Sequence, residues 1–556
     1  MLKPALPVLA LLLAGTAQPV LAVPADFDAK ADAYINSGWP ADGPGASVIV
    51  TEGGKTVYAK GQGLADLEAK KPITPATSFR LGSITKQFSA AVLLQLVQEG
   101  KVSLDDPVSK YVPSLRQPGA EATIRQLLNH TSGIQSYTGI PGWMVEENTN
   151  RAYTTKQMIA VFKDLPSPSK PGEEFVYNNS GYVLVGAVIE AATGKPWHQA
   201  VEERIARPLR LGSIRYGVGE SGFADMAKGY TGGNDGTQPA RKIHMSVPHA
   251  AGALVGSVED LAVWARALHH GGVLSKEGYA SMIAPTKMPD GKEIPYGYGI
   301  GQEKVRGRTA IGHGGGIFGF STDSLYIPEK DIFVAVFANS DDPATAPGVA
   351  TKRLAAMALG DPYPHFTPVT VDSAALEPLF GIYKTRDGDR RFFARDGQLY
   401  TQRGEGPELK VYPAGNDRFF YGPSSLTWFA LRRDAGGAHA MEMHQDGADE
   451  AELAMRIGPV PPPPSAADVP RATLERYVGS YAVGGGRVTI AWGQGDTLTI
   501  EPPGDSPRPL RAISASQFAV EGVPAKVTFH DEKGGVTHIV VAMPNGQELK
   551  AERVRD

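Results

Sequence analysis

The chain has 556 residues, 42% of them apolar, with 65 Gly, 44 Pro, no Cys and a formal net charge of −4. That is enough apolar material for a sizeable core and enough length for about three domains of ~150 residues each. The near balance of charge, without a basic patch, argues against general nucleic-acid binding. The missing cysteines exclude disulfide scaffolds, thiol nucleophiles, thiolate metal sites and lipid anchors on an N-terminal Cys.

In chain order, Lys3, the apolar run Ala5 to Gly15 and the small-residue site Val20-Leu21-Ala22 read as a secretory signal peptide over residues 1–22. A periplasmic or secreted location is therefore expected, with no membrane anchor once the signal is removed. Ala46-Ser47-Val48-Ile49-Val50 and Thr56-Val57-Tyr58-Ala59 flank Gly53-Gly54 and predict a β-hairpin. From Gln87 to Gln98 the apolar residues Phe88, Val92, Leu93, Leu96 and Val97 form a helical stripe that stops at Gly100. Tyr182 to Ala192 repeats that pattern and stops at Gly194. Ser257 and Asp260 look like a capping box opening a helix that runs to His269. Phe320 to Ile327 and Ile332 to Ala338 read as strands around a Pro328–Asp331 turn. Strands at both ends with helices between predict an α+β domain over residues 23–365, its first and last strands sharing one antiparallel sheet beside a helical part.

Beyond Asp361 the helical patterns stop, and short strands separated by Gly, Pro and Asp turns take over. This half repeats itself. Leu376-Glu377-Pro378-Leu379-Phe380-Gly381-Ile382-Tyr383 matches Leu474-Glu475-Arg476-Tyr477-Val478-Gly479-Ser480-Tyr481, and Gly397 with Gly495 and Phe419 with Phe518 keep nearly the same offset. The repeat predicts two small antiparallel β-domains, over 366–458 and 472–556, each a small barrel or sandwich. Residues 459–471, with Pro461 to Pro464, form a stiff spacer between them.

The chemistry begins at Ser83-Ile84-Thr85-Lys86. A serine at a helix start with a lysine three residues on puts both side chains on one face, where the lysine can hold or accept the hydroxyl proton. The plain alternative is an N-cap serine. Ser167-Pro168-Ser169-Lys170 has the same spacing but sits in a proline-rich stretch that offers no helix. A second element is Tyr177-Asn178-Asn179: a phenol near a lysine cation can be drawn toward phenolate and serve as a base, and Asn179 offers an amide. The third is His313-Gly314-Gly315-Gly316. Gly314, Gly316 and Gly319 satisfy the dinucleotide-binding glycine spacing, but the residues after them alternate like a strand, so that reading fails its context. On an edge strand, glycines such as Gly315 and Gly316 let a substrate backbone lie close, with His313 pointing at the substrate or at the tyrosine. Metal chemistry finds no His-Glu-x-x-His spacing, and no Gly-x-Ser-x-Gly elbow supports an α/β-hydrolase.

Taken in the order Ser-x-x-Lys, Tyr-x-Asn, His-x-Gly, residues 30–360 resemble the class C β-lactamase and D-alanyl-D-alanine peptidase family of penicillin-recognising serine hydrolases. Thr123 to Gly133, Gly252-Ala253-Leu254 and Gly312 to Phe320 extend the resemblance. We read His130-Thr131-Ser132-Gly133 as a helix-ending turn rather than as catalytic. The resemblance implies a β-lactamase-like catalytic domain followed by two lipocalin-like barrels, the layout of the D-aminopeptidases. It implies that Ser83 is acylated, that Lys86 and Tyr177 share the proton traffic, and that Asn179 binds the substrate amide or Lys86. His313, Gly315 and Gly316 would meet the substrate, and the N–H groups of Ser83 and Gly316 would form the oxyanion hole. No metal or cofactor is implied. The partners implied are small peptide, amide or ester substrates, with β-lactams as acylating inhibitors. β-Lactamases of this type carry Lys where this chain has His313, whereas His-x-Gly resembles D-alanine carboxypeptidases, D-aminopeptidases and some esterases. A D-amino-acid peptidase is thus the expected activity, the alternatives being an esterase, a weak β-lactamase or a penicillin- or muropeptide-binding receptor with slow turnover.

Overall fold

The computed structural model describes residues 23–554, apart from 116–117, 233–235, 396, 405, 462–467, 484–485, 496, 504–505, 524, 533–534 and 544–547. The expected signal peptide and most of the proline run therefore lie outside the described residues.

The N-terminal half is built on a seven-stranded sheet. Its strands are β1 (Ala46–Glu52), β2 (Lys55–Gln62), β3 (Gly301–Val305), β4 (Arg308–Gly312), β5 (Gly315–Ile317), β6 (Phe320–Ile327) and β7 (Ile332–Ala338). The order is β3-β4-β6-β7-β1-β2, with the short β5 also pairing with β6. As expected, the first and last strands are antiparallel neighbours, in register from Ala46↔Ala338 to Glu52↔Ile332. Gly53 and Gly54 make the predicted hairpin turn at φ +59° and +76°, a region open to glycine at no steric cost.

Strand alternation splits the core into two layers. Val48, Val50, Val334 and Val336 face α1 (Phe27–Gly38) and Leu354 of a C-terminal helix over Pro347–Ala358. Ile49, Ala335 and Phe337 face the opposite way, into the larger helical core. At the centre of that core lies α2 (Thr85–Gln98). Its sequence stripe suggested a one-sided amphipathic helix, yet nearly every residue from Thr85 to Leu94 is buried. Packing from α3 (Asn179–Thr193) and from the short helix His249–Gly252 covers the remaining faces. Small Ser89, Ala90 and Ala91 permit that close approach.

The cap of the helix Val258–His269 is half of the predicted box. Ser257 accepts from the Asp260 N–H, but the Asp260 carboxylate turns to Ser213, accepting from its N–H and its hydroxyl at 2.6 Å each.

The C-terminal half contains two closed eight-stranded antiparallel barrels, with strands from Gly381 to Gly458 and from Gly479 to Arg553. The overall class is therefore α+β. The repeat has a physical counterpart: the Tyr383 hydroxyl donates to the Leu379 carbonyl at 2.6 Å, and its equivalent Tyr481 donates to Tyr477 at 2.7 Å. Phe419 and Phe518 occupy the two barrel cores. Helices do not end at Asp361, because short ones at Ser373–Leu376 and Arg471–Tyr477 precede the two barrels.

The first barrel docks on the N-terminal half. Lys352 pairs with Glu303 at 2.8 Å and with Asp446 of the barrel, Arg306 pairs with Asp449, and Leu426 packs with Tyr363 in the outer core layer.

Candidate active site

Ser83 lies in a 3-10 turn, Gly82–Ile84, that feeds directly into α2. The N-cap alternative does not hold, since no side chain caps either the turn or the helix. The Ser83 hydroxyl instead faces Lys86, whose Nζ lies 3.0 Å from Oγ.

Two further atoms hold the ammonium position: Asn179 Oδ1 and the Ala251 carbonyl, each at 2.9 Å. Both can only accept, so the amine donates to them in any protonation state. When Lys86 is neutral, its lone pair is left facing Ser83. Lys86 is fully buried, no carboxylate among the described residues pairs with it, and desolvation holds its pKa well below the ordinary lysine value. The Ser83 neighbour is thus an amine poised to take a proton.

Asn179 is the first residue of α3, and Asn178 caps that helix by accepting from the Gly181 N–H at 3.0 Å. The Asn179 amide is steered by Thr138, whose Oγ1 accepts from Nδ2 at 3.3 Å. Tyr177 immediately precedes the cap. Its ring lies 4.7 Å from Lys86 Nζ, and the Ser83 hydroxyl interacts with its phenol. The residue is 40% exposed, which leaves its edge open to a cleft. Packing against His130, His313 and Lys86 nevertheless desolvates the phenol and raises its pKa. The sequence reading of a phenol drawn toward phenolate is reversed here. Desolvation raises the pKa of the Tyr177 phenol and lowers that of Lys86, so burial works against a phenolate at Tyr177.

Strand β5 approaches the Ser83 turn closely because both sides are glycine. A Cβ on Gly82, at φ +52°, would fall 2.9 Å from the Gly316 nitrogen. A Cβ on Gly315 would lie 2.1 Å from the Leu81 carbonyl oxygen and 2.4 Å from Thr322 Oγ1. Gly316 is exposed, with nothing within 4 Å of a Cβ. Two neighbouring glycines therefore differ in what they tolerate. Gly315→Ala should cost about 1–3 kcal/mol of stability and displace β5 from Ser83, because backbone atoms cannot yield. Gly316→Ala should unfold at the same urea concentration as the parent chain. Equal midpoints for the two variants would contradict this packing.

The His313 ring packs near that of Tyr177, with centroids 6.1 Å apart, while its two nitrogens bond elsewhere. Its Nε2 is 2.9 Å from the Tyr296 hydroxyl and its Nδ1 is 2.5 Å from the Gly314 carbonyl oxygen. Burial, with Lys86 nearby, pulls its pKa down to about 4. The structure thus gathers Ser83, Lys86, Tyr177, Asn179, Gly315 and Gly316 at one place, with His313 on the rim.

Sequence reasoning missed Ala251, Tyr296 and His130. A backbone carbonyl such as Ala251's leaves no side-chain signal. His130 does end a helix, at φ +62°, but its carbonyl accepts from Val176 N–H at 3.0 Å and its Nδ1 from Asn178 N–H at 3.1 Å. It thereby pins the residues on both sides of Tyr177. Tyr296, within Pro295-Tyr296-Gly297-Tyr298-Gly299, carried only the weak signal of aromatics alternating with glycines.

A cavity of about 260 Å³ opens beside this centre, lined among others by Tyr177, Tyr296, Gln302, Glu303, His313 and Asp323. A larger one, about 430 Å³, belongs to the second barrel and shares no residue with the site. Among the described residues, no group of acidic or histidine side chains is arranged to hold a metal ion. No described helix is long and apolar enough to cross a membrane.

A serine hydroxyl facing a buried lysine whose pKa is lowered by desolvation, with a tyrosine and a glycine strand beside it, defines a serine hydrolase of the β-lactamase fold. The β-lactamase family profile matches residues 32–358, and the chain belongs to that family. A penicillin-binding protein of Bacillus subtilis is 25% identical over 431 residues, covering 73% of this chain and 93% of the relative. A D-aminopeptidase of Gluconobacter oxydans is 27% identical over 373 residues, 65% of this chain and 67% of the relative. Among solved structures, the D-amino acid amidase of Ochrobactrum anthropi superposes with a TM-score of 0.52 at 25% identity, covering 60% of this chain and 98% of the amidase.

Proposed function

We propose that the protein is an exported peptidase or amidase that cleaves the amide bond of D-amino-acid peptides or amides through an acyl-enzyme on Ser83. The observation that carries the reading is the Lys86 amine, buried with no counter-ion among the described residues and held by Asn179 and Ala251 with its remaining valence toward Ser83. Similarity to a D-aminopeptidase and a D-amino acid amidase supports the substrate class. Export is supported by Lys3 followed by the apolar run from Ala5.

In the acylation step Lys86 takes the Ser83 proton as Oγ bonds to the substrate carbonyl carbon. The oxyanion is met by the backbone N–H groups of Ser83 and Gly316. Collapse breaks the bond from carbon to the leaving nitrogen. That nitrogen takes a proton from the Tyr177 phenol, and Lys86 returns the serine proton to Tyr177. Water then attacks the ester, gives its proton up through the same pair, and restores Ser83.

The neutral His313 supports substrates without a carboxylate at that edge, and so favours amides over penicillins. Purified protein should hydrolyse D-amino-acid amides and D-aminoacyl p-nitroanilides faster than their L counterparts, with nitrocefin turned over slowly if at all. Preference for L-substrates would sink the stereochemical reading. Stoichiometric penicillin adducts that persist for hours, with no amide hydrolysis, would replace it with a receptor.

A further inference from the structure

Lys86 owes one of its two acceptors to a short stretch of helix, His249–Gly252, that lies against α2. Consecutive carbonyls of that stretch meet α2 about one turn apart. Ala250 accepts from the Ser89 hydroxyl at 2.8 Å, and Ala251 accepts from Lys86 at 2.9 Å. Just beyond, the Leu254 N–H donates to Thr85 Oγ1 at 3.1 Å, and the Leu254 carbonyl accepts from the Leu81 N–H at 2.9 Å. The segment therefore grips both α2 and Leu81, the residue that leads into the Ser83 turn.

The stretch begins at His249, a buried histidine that the proposed reaction does not use and that is held in an unfavourable way. Its φ is +47°, a left-handed backbone that side chains rarely adopt unless their surroundings impose it. Its Nδ1 is buried with no hydrogen-bond partner among the described residues. The constraint comes from elsewhere in the helical core. Nε2 lies 3.0 Å from Thr155 Oγ1, at the start of the helix Thr155–Phe162. That hydroxyl donates to Glu190 Oε1 of α3 at 3.0 Å, and the same oxygen accepts from the Trp197 N–H at 3.3 Å. The Trp197 ring packs on the imidazole, with centroids 5.4 Å apart. Gly186, inside α3, leaves the ring its space: a Cβ there would fall 2.6 Å from His249 Cε1. Asn179, the other acceptor of Lys86, is the first residue of this same α3. One helix thus supports both acceptors, Asn179 directly and Ala251 through Glu190, Thr155 and His249.

We propose that His249 is a positioning residue: seated by Thr155, Trp197 and Gly186, it fixes the Ala251 carbonyl against Lys86 and so keeps the amine aimed at Ser83. This rests on the reading of Lys86 as the acceptor of the Ser83 proton. The role is mechanical, and no proton of the reaction passes through the imidazole. A lysine carries its amine on a flexible stem, so its direction has to be set from outside. Here the two acceptors at 2.9 Å set it, leaving Nζ 3.0 Å from Oγ. Proton transfer needs the heavy atoms within hydrogen-bond reach, and a misplacement of about 1 Å costs on the order of 10²-fold in rate.

The test uses the full-length protein. His249→Asn suits the left-handed backbone but is too short to reach Thr155, His249→Gln carries an amide to about where Nε2 lies, and Thr155→Val removes only the hydroxyl. Labelling of Ser83 by a fluorophosphonate should slow by about ten- to hundredfold in His249→Asn, and His249→Gln should recover most of that loss. The decisive comparison repeats His249→Asn in Lys86→Met, where no amine remains to be aimed. There it should change the labelling rate by less than about twofold. Labelling at the parent rate in His249→Asn, or an equal slowing in both backgrounds, would overturn the proposal, because His249 would then serve the fold at large and not Lys86. A second readout needs no reaction. With 13C-labelled lysine, and Lys86 assigned through Lys86→Met, the pH at which Lys86 titrates by NMR should fall by about half a pH unit or more in His249→Asn and Thr155→Val, since the ammonium loses an acceptor. A titration that stays in place or moves up would refute the positioning role. Should His249→Asn not fold, Thr155→Val carries both measurements. Absence of Ser83 labelling in the parent protein, with the Lys86 titration displaced as expected, would fault the proposed reaction and leave the positioning role standing.

Discussion

Replacing Ser83 by alanine is expected to abolish hydrolysis while leaving the fold in place. Losing the nucleophile removes the covalent path, and in hydrolases whose residues act as a unit the loss is about 10⁶-fold in kcat. The structural cost is small for a specific reason. Ser83 caps no helix, so no orphan N–H is exposed by its loss. Its partner Lys86 keeps Asn179 and Ala251 as acceptors. One hydrogen bond at a half-buried position should cost about 1 kcal/mol. The midpoint of urea unfolding should therefore move little, while a fluorophosphonate label visible on the parent protein disappears. Residual turnover above about 1% would place the nucleophile elsewhere, and a large loss of stability would mean that the 3-10 turn depends on the hydroxyl.

The parts of this site that the sequence reveals are those whose physics is local. Ser83 and Lys86 are legible because a spacing of three on a helix is a local geometric fact, and the helix announces itself through Phe88, Val92 and Leu96. Strands β6 and β7 are legible for the same kind of reason, being apolar runs bounded by a turn. The barrels show through their repeat, since Tyr383 and Tyr481 perform one structural task twice. The electrostatics are not legible. Whether Tyr177 or Lys86 keeps its proton depends on how completely α3 and the Ala251 turn desolvate α2, and that burial comes from segments 93 to 165 residues away. His130 reads as a turn because its φ is a local property, whereas its bonds to Asn178 and Tyr296 are not. Likewise the orientation of His313 depends on Tyr296, which lies on a different loop and matches no motif.

Replacing Lys86 by methionine should leave two signatures, one kinetic and one thermodynamic. Without the amine nothing accepts the Ser83 proton. Tyr177 cannot substitute for it, because burial keeps the phenol protonated. The loss should be about 10²–10⁴-fold in kcat, the usual worth of a general base. Adding Tyr177→Phe should cost little more, because the proton path is already broken. The thermodynamic signature follows from the lowered lysine pKa. Between that depressed value and the ordinary 10.5, the unfolded chain holds a proton that the folded chain does not, so stability falls as pH falls through the window. Below the folded-state value both states are protonated, and the slope from this residue vanishes. Lys86→Met lacks the term entirely. The stability of the parent relative to the variant should thus decline as the pH is lowered from about 10 toward neutrality. The same titration should give the parent enzyme an acid limb in kcat/KM, activity being lost as Lys86 gains its proton. Urea unfolding of the two proteins across that range measures the difference directly. If the two stability curves run parallel, Lys86 is charged in the folded state, and the base must be sought at Tyr177.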